Sequence, residues 1–227
     1  MRLLHLITIL ALFFPCPVLA AVIEEVISVP VRVRTITGEK ISQPIKVTIF
    51  RDDKLAKAPW LVLNHGRPAS EADFAGMKRQ RYSANSRYFV ALGFVVLVPT
   101  RVGYGESGGR DVEYSGHCND KHYPPVYAAG ADQTVAVLRA AANLPFVDMS
   151  RGIVVGQSFG GTTALTLSTM NVPGLLGAVN FAGGGGGNPA THSANPCSEP
   201  RLRALFQHYG TSAKIPSLWL YSENDKY

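Results

Sequence analysis

The sequence predicts a single α/β domain built on a doubly wound, mostly parallel sheet, and three observations carry that prediction. From residue 60 onward, short runs rich in Val, Ile and Leu alternate with helix-compatible segments, the pattern of strands covered on both faces and joined by crossover helices. The stretch "IVVGQSFGGTTAL", Ile153 to Leu165, joins one such run to one such segment through a serine set between glycines. A chain of 227 residues that is 46% apolar and 17% charged has material for one good-sized core, and no repeat or Pro/Ser-rich linker divides it.

The elements can be taken in order. "ISVPVRVRTI" (27–36) and "IKVTIF" (45–50) alternate in part between apolar and polar residues, which predicts half-exposed edge strands. "WLVLNH" (60–65), "FVVLVP" (94–99), "GIVVGQ" (152–157), "GAVNFA" (177–182) and "SLWLYS" (217–222) are the more continuous apolar runs expected of buried parallel strands. Helices are predicted over 83–92, 129–143 and 160–170, with Val135, Leu138 and Ala142 near one face of the second. "RLRALFQHY" reads as a further helix. In such a sheet, ligands bind outside the carboxyl ends of the strands.

Residues 1–20 read as a signal peptide, which leaves residues 21–227 as the domain. "MRLLHLITILALFFPCPVLA" has Arg2 in a short basic head, an apolar stretch from Leu3 to Phe14, and Val18 and Ala20 at the −3 and −1 positions of a cleavage site. The stretch is shorter than the ~20 residues that span a bilayer and is broken by Pro15 and Pro17, so no stable membrane anchor is expected. The expected location is exported, periplasmic or secreted. Cys16 leaves with the signal; Cys118 and Cys197 remain as an even pair in an oxidising compartment, where a disulfide is expected. The formal net charge of +6 comes from scattered basic residues, densest at Arg79 and Arg81. Without a basic stripe interleaved with aromatics, no nucleic-acid partner is expected.

"GQSFG", Gly156 to Gly160, fits G-x-S-x-G directly after a strand and before a helix. A tight turn of this kind holds the serine in a strained backbone conformation, and the flanking glycines avoid clashes with neighbouring chain. The amino end of the helix places N–H groups where an oxyanion would develop. Ser158 is therefore the candidate nucleophile. The loop after the third strand should supply a second oxyanion donor: in "LVLNHGRPAS", Gly66 lets the chain turn, Arg67 offers one N–H, and Phe159 offers the other. His65, before that glycine, is expected to brace the loop by hydrogen bonding. An acid should follow at the end of a later strand, and "PSLWLYSENDKY" offers Asp225 beyond the turn, with Glu223 as the alternative.

"NHGRP", "PTRVGYGESGG", "VVGQSFGG", "VNFAGGGGG" and "LWLYSENDKY" occur in the order seen in α/β-hydrolases, and over about residues 45–227 the chain resembles the dienelactone hydrolase-related branch most. The resemblance implies an α/β-hydrolase fold, Ser158 as nucleophile, Asp225 as acid, and Gly66, Arg67 and Phe159 around the oxyanion hole. It implies no cofactor and a small-molecule ester or lactone as substrate, cleaved through an acyl-enzyme. Several relatives carry cysteine where this chain has serine, so ester hydrolysis is expected rather than the lactone that names the branch. "GQSFGG" also resembles the elbow of prolyl oligopeptidase relatives, which makes a peptidase the alternative enzyme. A non-catalytic binding protein on a hydrolase scaffold is the alternative outside enzymes.

Three other patterns are read as structural. "GYGESG", Gly103 to Gly108, matches a dinucleotide fingerprint but is followed by loop-like sequence rather than a helix able to hold pyrophosphate. Gly183 to Gly187 lack the Lys-Ser/Thr pair of a phosphate loop and are expected to allow close packing after a strand. His117, Cys118 and His122 have no second ligand cluster at zinc spacing, so no metal is expected.

A serine needs a base, and in this fold the order is serine, acid, histidine. Only Lys226 and Tyr227 follow Asp225, and His5, His65, His117, His122, His192 and His208 all precede it. His192 is the in-chain candidate, out of the usual order. The expectation from the sequence is a chain truncated before its last strand and histidine loop, with the base beyond Tyr227.

Overall fold

The computed structural model describes residues 21–68, 70, 72–187 and 195–225, so the expected signal peptide and His192 lie outside the described residues. Seven strands form one sheet: β1 (Val22–Arg34), β2 (Lys40–Asp52), β3 (Ala58–Asn64), β4 (Val95–Thr100), β5 (Val147–Gln157), β6 (Leu175–Phe181) and β7 (Ser217–Leu220). Their order is β1-β2-β4-β3-β5-β6-β7, with β1, β2 and β4 joined antiparallel and the remaining neighbours parallel. The helices are α1 (Ala72–Gly76), α2 (Ser83–Ala91), α3 (Tyr123–Ala141), α4 (Phe159–Ser168) and α5 (Glu199–Ser212).

The continuous apolar runs are explained by which side chains go to which face. In β3 and β4, Trp60, Val62, Val95 and Leu97 join the core on the α3–α4 side. Their sequence neighbours Leu61, Leu63, Val96 and Val98 pack with Val90 of α2 on the other side. A period of two with both faces covered leaves no polar position to mark the alternation. β1 is the expected edge strand, but β2 is interior, between β1 and β4. The polar positions that suggested exposure include Thr48, which is fully buried because its hydroxyl donates to Gln80 O at 2.7 Å and accepts from Arg79.

α3 starts six residues before its predicted boundary of 129. Pro124 and Pro125 fall in its first turn, where a missing N–H costs nothing because those groups have no intrahelical partner. Its buried face runs through Val126, Ala129, Gln133, Val137 and Ala141, while Ala142 is exposed at the end of the helix. Of the face expected from the sequence, Leu138 is buried and Val135 packs against the core, and only Ala142 is corrected. "GYGESG" forms a short 3₁₀ turn over Gly105–Ser107 and no α-helix. β7 is the outer strand beyond β6, and its Leu218 remains 53% exposed.

The chain reverses direction across the sheet at β3, whose neighbours are β4 on one side and β5 on the other. The carboxyl ends of β3 and β5 therefore open onto a shared crevice, as at other switch points of open α/β sheets.

Candidate active site

Ser158 sits between β5 and α4 with φ 54° and ψ −122°. A positive φ at a non-glycine residue costs about 1–3 kcal/mol and persists only where the surroundings fix it. Here the Ser158 N–H donates to Phe181 O of β6 at 2.9 Å, and its carbonyl accepts from Gly161 at 2.8 Å and Thr162 at 3.2 Å. Gly160 allows the loop after β3 to approach, since a Cβ there would lie 2.3 Å from Asn64 O. Gly66 is equally constrained: a Cβ would stand 2.7 Å from Gln157 Oε1 and 3.2 Å from Ser158 Cβ. Two glycines thus seat the β3 loop directly on the turn that carries Ser158.

Ser158, Phe159, Arg67, Lys121, Tyr127 and Cys197 border a cavity of about 270 Å³, closed on one side by Gly184–Gly187. The N–H groups of Arg67 and Phe159 form no hydrogen bond among the described residues, and neither does the Ser158 hydroxyl. A larger and more open groove of about 780 Å³ lies between the start of α3, α4 and α5. It lacks the strained serine turn and the N–H pair, which lie at the smaller cavity.

The orientation of the Arg67 N–H has a traceable cause. The His65 ring is fully buried, and its Nε2 lies 3.2 Å from the Arg101 N–H, which can only donate. Nε2 must therefore accept, so Nδ1 carries the proton and donates to Gly66 O at 2.7 Å. In a trans peptide the carbonyl and the following N–H point opposite ways, so pinning Gly66 O turns the Arg67 N–H away from His65. Burial, together with the nearby Arg101 charge, holds the imidazole pKa well below its ordinary value and keeps it neutral. His65 braces the loop, as the sequence suggests.

Beneath the loop, Arg101 and Glu113 form a fully buried ion pair at 2.5 Å. The Tyr104 hydroxyl donates to Glu113 at 2.5 Å, and burial followed by the Glu113 charge raises the phenol pKa. Arg67 grips Asp111 bidentately at 2.7 and 2.6 Å. Burial works against the Arg67 charge, but Asp111, Tyr104 and Glu113 together outweigh it and the pKa is raised. Cys118 and Cys197 are joined in a disulfide with their Cα atoms 4.6 Å apart, which commits Cys118 to that bond rather than to a metal. Ser198 beside the bridge accepts from the Lys121 N–H at 3.0 Å and donates to Cys118 O at 2.8 Å.

Of the residues singled out in the sequence, Gly66, Arg67, Ser158 and Phe159 converge on one crevice. Asp225 lies in the turn after β7 on the same edge of the sheet, its N–H donating to Ser222 O at 3.0 Å, and it is not among the residues lining the cavity. Glu223 is exposed in the same turn. Among the described histidines, His117 packs edge-on against Tyr114, His122 faces Asp120 at 3.7 Å, and His208 faces Ser212 on α5. None of them meets Ser158. Arg101, Glu113, Tyr104, Lys121 and Tyr127 were not anticipated. The one signal in the sequence is Arg101, a charge separated by one residue from the apolar run Phe94–Pro99.

No protein-family model and no curated protein matches this chain. Solved structures do resemble it. A dienelactone hydrolase-like promiscuous phosphotriesterase, P91, from metagenomic libraries superposes with a TM-score of 0.54 at 19% identity, over 88% of this chain and 82% of that one. The acylaminoacyl peptidase of Pyrococcus horikoshii gives 0.52 at 13% identity, over 86% of this chain and 32% of that one. Dipeptidyl peptidase 4 of Porphyromonas gingivalis gives 0.53 at 17% identity, over 87% of this chain and 32% of that one. The chain thus spans about a third of the length of the two peptidases and most of P91. Sheet order, strand–serine–helix turn and structural neighbours agree: this chain has the α/β-hydrolase fold.

Proposed function

We propose that the chain is a serine hydrolase of carboxylic esters or lactones. The observation that carries the reading is the pairing of Ser158, strained at φ 54°, with two unengaged N–H groups, those of Arg67 and Phe159, at one small cavity. In this reading a general base takes the Ser158 hydroxyl proton as Oγ attacks the ester carbonyl, and then gives it to the departing alkoxide. The carbonyl oxygen becomes an oxyanion that accepts from the two N–H groups, and collapse expels the alcohol and leaves an acyl-enzyme. Water then releases the acid by the same route. Asp225 is assigned the acid that orients the base. The dienelactone hydrolase-like neighbour, similar over most of its own length, favours esters or lactones over peptides. Export is part of the proposal, and the disulfide is compatible with it. No helix among the described residues is long and apolar enough to cross a membrane.

A second reading, a binding protein on this scaffold, draws on the Ser158 hydroxyl having no hydrogen-bond partner among the described residues. A fluorophosphonate probe separates the two. The hydrolase reading expects stoichiometric labelling at Ser158, abolished in Ser158→Ala. Labelling at another serine, or none at all, would favour the scaffold reading.

A further inference from the structure

Both N–H groups assigned to the oxyanion hole are tied, through different contacts, to one buried residue, Arg101, that does not line the cavity. Arg101 is fully buried at the end of β4. Its backbone N–H approaches His65 Nε2 at 3.2 Å, and its Nη1 donates to His65 O at 2.8 Å. The first contact is made by the main chain and fixes the ring that pins Gly66 O, so a change of the Arg101 side chain acts on the Arg67 N–H only through the second. The second fixes the peptide plane between His65 and Gly66. On its other side, the guanidinium lies 5.1 Å from the centre of the Phe159 ring, within reach of a cation–π contact. Phe159 carries the second N–H. The remaining nitrogens are held by Glu113, with Nε at 2.5 Å and Nη2 at 3.1 Å, so the guanidinium cannot rotate away from either neighbour.

A planar, forked cation is suited to this arrangement, because it can hold a carboxylate bidentately, donate sideways to a carbonyl and present a face to a ring. Lysine could satisfy only part of it. The pairing of β3 with β5 ends at Asn64 and Gly156, short of the residues that carry the two N–H groups. An oxyanion hole works only if its donors are already in place when charge develops.

We propose that Arg101, held by Glu113, is a positioning residue that sets the geometry of the oxyanion hole from beneath, acting on Arg67 through His65 and on Phe159 through its ring. The assignment rests on the hydrolase reading of Ser158. It predicts a defect in the reactive step without a matching defect in reversible binding.

The experiment measures phosphonylation of Ser158 in the full chain by a fluorophosphonate over a concentration series, which separates the reversible constant from the rate constant of bond formation. The phosphoryl oxygen takes the place of the oxyanion. Two variants are compared with wild type: Arg101→Lys, which keeps the charge, and Arg101→Met/Glu113→Leu, which removes the pair together and leaves no unpaired buried charge. Cooperative thermal unfolding is recorded for each. The expected result is a rate constant about 10- to 100-fold lower in both variants, with unfolding still cooperative and with the reversible constant of Arg101→Lys, whose side chain does not line the cavity as Glu113 does, within threefold of wild type. A wild-type rate constant in a folded variant overturns the assignment while leaving the hydrolase reading intact. Loss of cooperative unfolding in both variants shows a role in stability alone and also overturns it. Absence of labelling in wild type removes the hydrolase reading, and the assignment falls with it.

Discussion

Both nitrogens of the His65 ring are engaged, with Nδ1 donating to Gly66 O and Nε2 accepting from the Arg101 N–H. That single tautomer gives the residue a pH signature. Burial and the Arg101 charge place its native pKa well below the unfolded value near 6.5. Between those two values the unfolded chain binds a proton that the native chain does not, so stability falls as the pH is lowered. The contribution is fully present above the unfolded pKa and is lost at up to about 1.4 kcal/mol per pH unit below it, until the native ring protonates. Urea unfolding of wild type from pH 7.5 to 5.5 should show this loss, and His65→Gln, which cannot titrate there, should show a flatter slope. Equal slopes would mean that His65 is not the group responsible. A histidine next to a candidate nucleophile invites assignment as the base. The hydrogen bonds decide otherwise, and the sequence held the hint in the glycine that follows it.

At the level of elements, the ends of β6 and β7 are knotted to the glycine run that closes the cavity. Asn180, fully buried in β6, donates to the Tyr221 hydroxyl at 2.9 Å and accepts from the Gly183 N–H at 2.8 Å, while Tyr221 donates to Gly183 O at 2.5 Å. Asn180→Ala orphans a buried N–H and should cost about 1–3 kcal/mol in urea unfolding, with a smaller loss for Tyr221→Phe. Losses below ~0.5 kcal/mol in both would show that the knot is not structural. The parts of this region differ in how readable they are from sequence. β6 is legible because its apolar residues, Leu175, Ala178 and Val179 among them, stand close together, and the serine turn is legible because its glycines are demanded by backbone contacts within a few residues. The start of α3 is not, since Pro124 and Pro125 punctuate equally well as loop or as first turn. Arg101–Glu113 and Asn180–Tyr221 are not legible either. Each pairs residues brought together by the sheet, and a single sequence carries no mark of which partner a polar side chain will find.

For the whole molecule, the bridge between Cys118 and Cys197 closes a long covalent loop, with a sequence separation of 79 residues. It joins the loop before α3 to the segment before α5, and through Ser198 it also fixes the main chain of Lys121 at the cavity wall. A loop of this size restricts the unfolded chain strongly, and removing such a bond costs about 2–4 kcal/mol. Because Cys197 itself lines the cavity, the loss should reach the site as well as the global stability. Cys118→Ser/Cys197→Ser is therefore expected to unfold at lower urea concentration than wild type by that amount, and a reductant such as TCEP should bring wild type to the same midpoint. The double variant should not respond to reductant at all. Limited proteolysis should report the local part, with cleavage near residues 115–121 faster in the double variant under conditions where it remains folded. Equal midpoints for oxidised wild type and the double variant would show that the bridge adds no stability, and a reductant effect persisting in the double variant would trace the effect to something other than this bond.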